Sequence, residues 1–145
     1  MNKYMREALW EAYEGISRKD GGPFGCVIVK DGEIVGKGHN EVLRRSDCTC
    51  HGEIMAIRDA CYRLNTHDLA GCELYTTAEP CPMCKGAIQW ANIKKVYAGC
   101  NTSDVELIGF RDKILYESDI DIETLERQKC IELFMTYAAE ENKRY

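Results

Sequence analysis

Two short motifs, well separated in the chain, constrain the possible fold more than any other feature. His51 and Glu53 stand in a His-x-Glu spacing, and Cys81 and Cys84, preceded by Pro80, stand in a Pro-Cys-x-x-Cys spacing. One imidazole and two thiolates form a ligand set that zinc binds when its fourth position is left to water. Glu53 is not needed as a ligand, so it can hydrogen-bond that water and exchange protons with it. The fold must therefore bring the two motifs together.

A Cys-x-x-Cys pair alone has other uses, because it can serve as a redox pair or as half of a structural zinc site. A structural site would need four ligands, and the other candidates are Cys48 and Cys50, just before His51. Glu53 favours a catalytic site over a structural one, because a structural zinc does not require that carboxylate. The combined His-x-Glu and Pro-Cys-x-x-Cys pattern is typical of zinc-dependent nucleobase and nucleoside deaminases.

Length and composition predict one globular domain, residues 1–145. Hydrophobic residues make up 45% of the chain and charged residues 30%. The segment from Met1 to Ser17 carries charges throughout, unlike a signal peptide. The nine cysteines are odd in number and irregularly spaced, which favours a reducing compartment, so we expect a cytoplasmic protein without membrane partners. Five cysteines in apolar segments are expected to be buried: Cys26, Cys61, Cys72, Cys100 and Cys130.

The net charge of -5 makes a large phosphate-binding surface less favourable, because nucleic-acid affinity depends mainly on Lys and Arg. Two short basic pairs remain as candidates for local contacts with RNA. They are Arg44-Arg45 and Lys94-Lys95.

Hydrophobic periodicity predicts an α/β domain of three layers, with helices on both faces of a mixed sheet of about five strands. The expected helices span residues 2–17, 51–64 and 82–92, and the expected strands span residues 25–30, 33–38, 72–77 and 95–98. Asp31-Gly32 indicates a hairpin, and Asp47 or Thr49 is the expected cap of the second helix. Residues 105–116 suggest a short helix and a strand, and residues 120–141 a mainly helical segment.

The chain resembles the cytidine deaminase superfamily, and within it most of all the bacterial guanine deaminases. The motifs that carry the resemblance are Gly21-Gly22-Pro23-Phe24-Gly25, His51-Gly52-Glu53, Glu79-Pro80-Cys81-Pro82-Met83-Cys84 and Gly109-Phe110-x-Asp112. The resemblance implies the cytidine deaminase-like fold. It also implies one zinc ion per subunit on His51, Cys81 and Cys84, with water or hydroxide as fourth ligand and Glu53 as the catalytic residue.

The same resemblance implies four substrate contacts. Phe24 would stack near the base, Asn40 would hydrogen-bond it, and Asp112 and Tyr145 would complete recognition of the guanine edge. In that family the C-terminal tail crosses to the partner of a homodimer, which here concerns residues 125–145. Each contact has a simpler alternative: Phe24 as core, Asn40 as a cap at the hairpin exit, Asp112 as a solvated acid, and Tyr145 as a frayed end.

The predicted activity is hydrolytic deamination of a purine base, guanine to xanthine with release of ammonia. Alternatives within the superfamily are deamination of a tRNA wobble adenosine, or of cytosine or another small amino-substituted ring or nucleoside. An alternative of another class is a catalytically silent zinc-binding interaction module.

Overall fold

The computed structural model of the protein describes residues 1–111, 115, 120–140 and 145. The helices are α1 (Lys3–Ser17), α2 (Val42–Arg45), α3 (Gly52–Leu64), α4 (Pro82–Trp90), α5 (Thr102–Leu107) and α6 (Arg127–Ala138). The strands are β1 (Gly25–Lys30), β2 (Glu33–His39), β3 (Glu73–Ala78) and β4 (Lys95–Cys100). The helices and strands predicted before residue 100 are confirmed, with shifts of one or two residues at their ends.

The described strands form one mixed sheet in the order β2-β1-β3-β4. Strand β1 runs antiparallel to both of its neighbours, and β3 pairs parallel with β4 across the helix α4. The mixed sheet is confirmed, although it has four strands in the described residues where about five were predicted. Most of the missing strand would fall on residues 112–114 and 116, which lie outside the described part of the chain.

Side chains that alternate along β1 supply two cores, one on each face of the sheet. Cys26 and Ile28 pack with α3 and α4 in the larger core. Val27 and Val29 pack with Ala8 of α1 in the smaller core on the other face. The predicted three-layer arrangement is therefore confirmed.

The prediction for the cap of α3 is wrong. The cap of α3 is His51 rather than Asp47 or Thr49, and it makes no side-chain capping bond. Asp47 instead accepts hydrogen bonds from the backbone and hydroxyl groups of Thr49, at 2.8 and 2.7 Å, inside the preceding loop. A short polar side chain favours such a turn when the chain must bend before the helix begins.

The C-terminal part of the chain also differs from its prediction. Helix α6 begins only at Arg127, and Cys100 and Cys130 are exposed although both were predicted to be buried. An apolar sequence pattern indicates a buried face only when another element covers it. None of the helices in the described part of the chain combines the length and apolar character needed to cross a bilayer.

Candidate active site and metal centre

The two predicted motifs meet at the start of two helices. His51 is the N-cap of α3 and Cys81 the N-cap of α4, with Cys84 in the first turns of α4. The Nδ1 atom of His51 lies 3.6 Å from the Sγ atoms of both Cys81 and Cys84. In a tetrahedral zinc site, with bonds of about 2.0 Å to nitrogen and about 2.3 Å to sulfur, neighbouring ligand atoms stand roughly 3.5 Å apart. The donor set and its spacing therefore fit zinc.

The two thiols share one negative charge. The pKa of Cys81 is lowered to about 4, first because of its hydrogen bond with Cys84 and further because His51 lies beside it. The pKa of Cys84 is raised, first because of that bond with Cys81, then because the thiol is buried and faces the charge of Glu53. One thiolate is thus available at neutral pH, and a cation bound between the sulfurs would displace the remaining proton.

Glu53 lies in the first turn of α3, where the helix dipole stabilises a carboxylate. Its side chain is buried and lines the same cavity as His51 and Cys81. The hydroxyl of Thr76, on the central strand β3, donates a hydrogen bond of 2.6 Å to the Oε1 atom of Glu53. Thr76 is itself fully buried, so this bond holds the carboxylate in a water-poor environment. The arrangement can carry out proton transfer beside a metal.

A cavity of about 650 Å³ opens over these groups. That volume is typical of small-molecule sites. Phe24 and Asn40 both line the cavity, as predicted for base contacts, and Asn40 also caps the hairpin exit by accepting a 3.0 Å bond from the backbone N–H of Val42. Phe24 makes an edge-to-face contact with Phe110, with ring centroids 4.9 Å apart. The cavity therefore offers an aromatic wall and an amide group to a flat ring.

Of the other two predicted substrate contacts, Tyr145 does not line this cavity. Asp112 lies outside the described residues. Tyr145 is 86% exposed, with its ring 6.3 Å from that of Trp90 and 6.0 Å from that of His67. It lies beside a different surface depression of its own chain, so a role at the site would require a second chain.

Cys48 and Cys50, considered as extra ligands, differ in position. Cys48 lines the cavity, whereas Cys50 is buried, and burial raises the pKa of its thiol. Neither belongs to the group of possible metal ligands formed by His51, Cys81 and Cys84.

Sequence reasoning assigned no role to Thr76 or Phe110. The strand pattern around Thr76 predicted only its secondary structure, and pairing of β1 with β3 is needed to bring that hydroxyl to Glu53. Phe110 is distant from Phe24 in the sequence, so only the fold reveals their contact. The presence of Phe110 in the resemblance motif was the one available signal.

Comparison with known proteins agrees with this site. Residues 1–100 match the family model for the cytidine and deoxycytidylate deaminase zinc-binding region. Guanine deaminase from Bacillus subtilis is 45% identical over 124 residues, covering 86% of this chain and 79% of that protein. A tRNA-specific adenosine deaminase from Aquifex aeolicus is 47% identical over 93 residues, covering 64% of this chain and 61% of that protein.

The X-ray structure of guanine deaminase from Bacillus subtilis superposes with a TM-score of 0.93 at 37% identity. The superposition covers 100% of this chain and 99% of the Bacillus subtilis chain. The agreement includes the C-terminal region, beyond the part that the family model matches. The chain therefore belongs to the cytidine and deoxycytidylate deaminase family, with its zinc-binding region in residues 1–100.

Proposed function

We propose that the protein is a zinc-dependent hydrolase that converts guanine to xanthine and releases ammonia. The observation that carries the choice of guanine is the full-length structural agreement with a guanine deaminase, tail included. The tRNA adenosine deaminase relative aligns with only 64% of the chain. A cavity with an aromatic wall also suits a free base.

His51, Cys81 and Cys84 would hold the metal, and water would take the fourth position. A zinc ion bound there supplies Lewis-acid activation of water at neutral pH. Glu53 would accept a proton as water adds to C2 of guanine and pass it to a ring nitrogen; it would then take the second proton from the new C2 hydroxyl and deliver it to the amino group, which leaves as ammonia as the C2–N bond breaks. The hydroxyl of Thr76 hydrogen-bonds one oxygen of the Glu53 carboxylate, and the other oxygen exchanges the protons.

Phe24 and Phe110 hold the ring in the plane required for attack, and Asn40 hydrogen-bonds its polar edge. Asp112 is assigned to the same edge, next to Arg111, which lines the cavity. Together these contacts would favour a base with a defined pattern of donors and acceptors over an unsubstituted ring.

The functional unit we propose is a homodimer in which each chain is one domain, with residues 125–145 exchanged. Large apolar side chains on α6 are exposed in the single chain, including Leu133 at 67%, Phe134 at 71% and Met135 at 65%. Monomeric proteins rarely expose such clusters unless a partner covers them. Tyr145 would then reach the cavity of the partner rather than its own.

The pairing of the basic side chains gives little support to the alternative of tRNA adenosine deamination. Its candidate pairs were Arg44-Arg45 and Lys94-Lys95, and of these Arg44 and Arg45 both pair with Glu41, at 3.3 and 3.0 Å. Side chains engaged in this way offer less positive charge to phosphates.

The test is ammonia release by the zinc-loaded protein from guanine, guanosine, cytosine, cytidine, adenosine and a tRNA anticodon stem-loop. We expect turnover of guanine, with xanthine identified by its ultraviolet spectrum. Turnover of the stem-loop alone would replace the proposal with RNA deamination. No release from any compound, with zinc fully bound, would leave the silent zinc-binding module.

A further inference from the structure

His39, at the end of β2, makes a pair of contacts that the proposed chemistry does not use. Its Nδ1 atom lies 3.0 Å from Oε2 of Glu11 on α1, and its Nε2 atom lies 2.8 Å from Oδ2 of Asp20. The ring is buried, with 10% of the side chain exposed. A Cβ atom on Gly15 would stand 2.6 Å from the ring, so the absence of a side chain there lets α1 approach His39.

The two contacts define the charge of the ring. A neutral imidazole has one N–H and one lone pair, so one of its nitrogens would face a carboxylate oxygen without a proton between them. An imidazolium donates to both carboxylates at once, and charge-assisted hydrogen bonds of this kind are stronger than neutral ones. With both carboxylates ionised, His39 therefore donates to Glu11 and Asp20 at once only when it is protonated.

The surrounding charges are consistent with that state. Burial lowers the pKa of His39, but the hydrogen bonds to Glu11 and Asp20 and the nearby charge of Glu41 outweigh it, so the pKa is raised. Three basic side chains near the cluster pair with carboxylates, and Arg58 lines the same surface depression as His39 and Glu11. Arg44 pairs with Asp20 and Glu41, Arg45 pairs with Glu41, and Lys37 pairs with Glu7.

Asp20 connects this bridge to the wall of the cavity. Its backbone carbonyl accepts hydrogen bonds of 3.0 Å from the N–H groups of both Leu43 and Arg44, which places α2. Leu43 lines the cavity, as does Gly21, the residue after Asp20. A Cβ atom on Gly21 would collide with the side chain of Asn40, so these two residues are in close contact.

Asn40 directly follows His39 in the chain, so the position of His39 also constrains the backbone of Asn40. Its backbone N–H donates a 2.9 Å hydrogen bond to the carbonyl of Phe24. The residues of the bridge and their chain neighbours thus connect to three parts of the cavity wall. These parts are the segment from Gly21 to Phe24, Asn40 and the start of α2.

We propose that His39 is a positioning residue that, as an imidazolium joining Glu11 to Asp20, sets the geometry of the base-binding wall. It touches neither the metal ligands nor Glu53, so it acts on binding of the base rather than on proton transfer. The proposal concerns the same site as the proposed deamination and depends on it for the identity of the base.

The first test compares His39→Gln with wild type in guanine kinetics. Gln cannot donate to both carboxylates, so we expect KM to rise about tenfold with kcat within about twofold, as for loss of charged hydrogen bonds. Glu11→Gln keeps one half of the bridge, and we expect a rise in KM of about threefold. The matched control is Glu14→Gln on the same helix, whose carboxylate pairs with Arg18 at the surface, and its KM should equal that of wild type.

The pH dependence of KM tests the charge of the His39 ring directly, by comparison of wild type with His39→Gln. The charged bridge is present below the raised pKa of His39 and is lost as pH rises through it. KM of the wild type should therefore increase with pH over that range. KM of His39→Gln should already be high at the low end of the range and should not show this increase. Identical KM profiles in the two proteins would overturn the proposal.

Hydrogen–deuterium exchange without substrate separates this inference from the assignment of guanine. In His39→Gln we expect at least about tenfold faster exchange at the amides of Asn40, Leu43 and Arg44, with no change in the pairing of β1 and β3. Unchanged exchange at those amides would refute the positioning role. Faster exchange across the whole sheet would also refute it, since it would show a general structural role. If the wild type failed to deaminate guanine, the exchange result would still stand.

Discussion

The cavity region of this chain contains several buried polar groups, whereas none of the described residues of the tail region is buried. The cavity region, residues 20–53 and 76–111, buries polar groups such as Glu53, Thr76 and His39 and provides each with a partner. The tail region, residues 120–140 and 145, leaves large apolar side chains exposed, among them Ile122 at 87% and Phe134 at 71%.

The difference shows which part of the site one chain can complete alone. Buried polar groups are costly unless they are hydrogen-bonded, so a chain that satisfies them has assembled that part of its site internally. Exposed apolar side chains indicate the reverse, a surface that is completed by another molecule. We therefore expect substitutions in the cavity region to act within a chain, and substitutions in the tail region to act on association.

The largest effect is expected for Cys81→Ala. Loss of one thiolate from a three-ligand site should lower the zinc-to-protein ratio from about one to below about 0.1 and abolish turnover. Zinc is measured by atomic emission after dialysis. Cys100→Ala, at an exposed cysteine, should keep both zinc and activity. An unaltered zinc ratio in Cys81→Ala would contradict the ligand assignment.

Glu53→Gln should affect turnover without affecting the metal. We expect kcat to fall by about 10²–10⁴-fold, the usual range for loss of a general acid or base, with full zinc content. The control is Glu33→Gln, at an exposed carboxylate of the hairpin. A variant that kept a rate near that of wild type would remove Glu53 from the proton-transfer role.

Phe134→Lys tests the tail region. A buried charge at the centre of an interface should weaken dimerisation at least about 100-fold, so sedimentation should show monomers at micromolar concentration. Tyr62→Lys changes an equally exposed aromatic on α3 and should leave the dimer intact. If wild type itself sediments as a monomer, exchange of the tail is wrong.

The smallest effect is expected for Thr76→Val, which removes the hydroxyl bonded to Glu53 and keeps the side-chain shape. We expect kcat to fall about tenfold with KM unchanged, because one hydrogen bond to a charged group is lost. A change in KM alone would place Thr76 in base binding instead. Steady-state kinetics on the zinc-loaded variant distinguish the two outcomes.

Much of the cavity region was predictable because its signals are local. Metal-ligand spacing, the Asp31-Gly32 hairpin and helical periodicity depend on residues that are close in the chain. From those signals we correctly predicted the four described strands and the helices α1, α3 and α4. Exposure of Cys100 and Cys130 could not be predicted in the same way, because apolar neighbours in sequence do not reveal which face is covered.

The sequence by itself predicted His51, Cys81 and Cys84 as a ligand set, Glu53 as a separate carboxylate, and the order of the four strands and of the helices α1, α3 and α4, since each follows from residue type and spacing. Only the tertiary structure decided that Thr76 reaches Glu53, that Phe110 meets Phe24, and that His39 joins Glu11 to Asp20. These contacts join residues on different elements. Their distances depend on how the sheet pairs and how the helices pack on it, which no local pattern records.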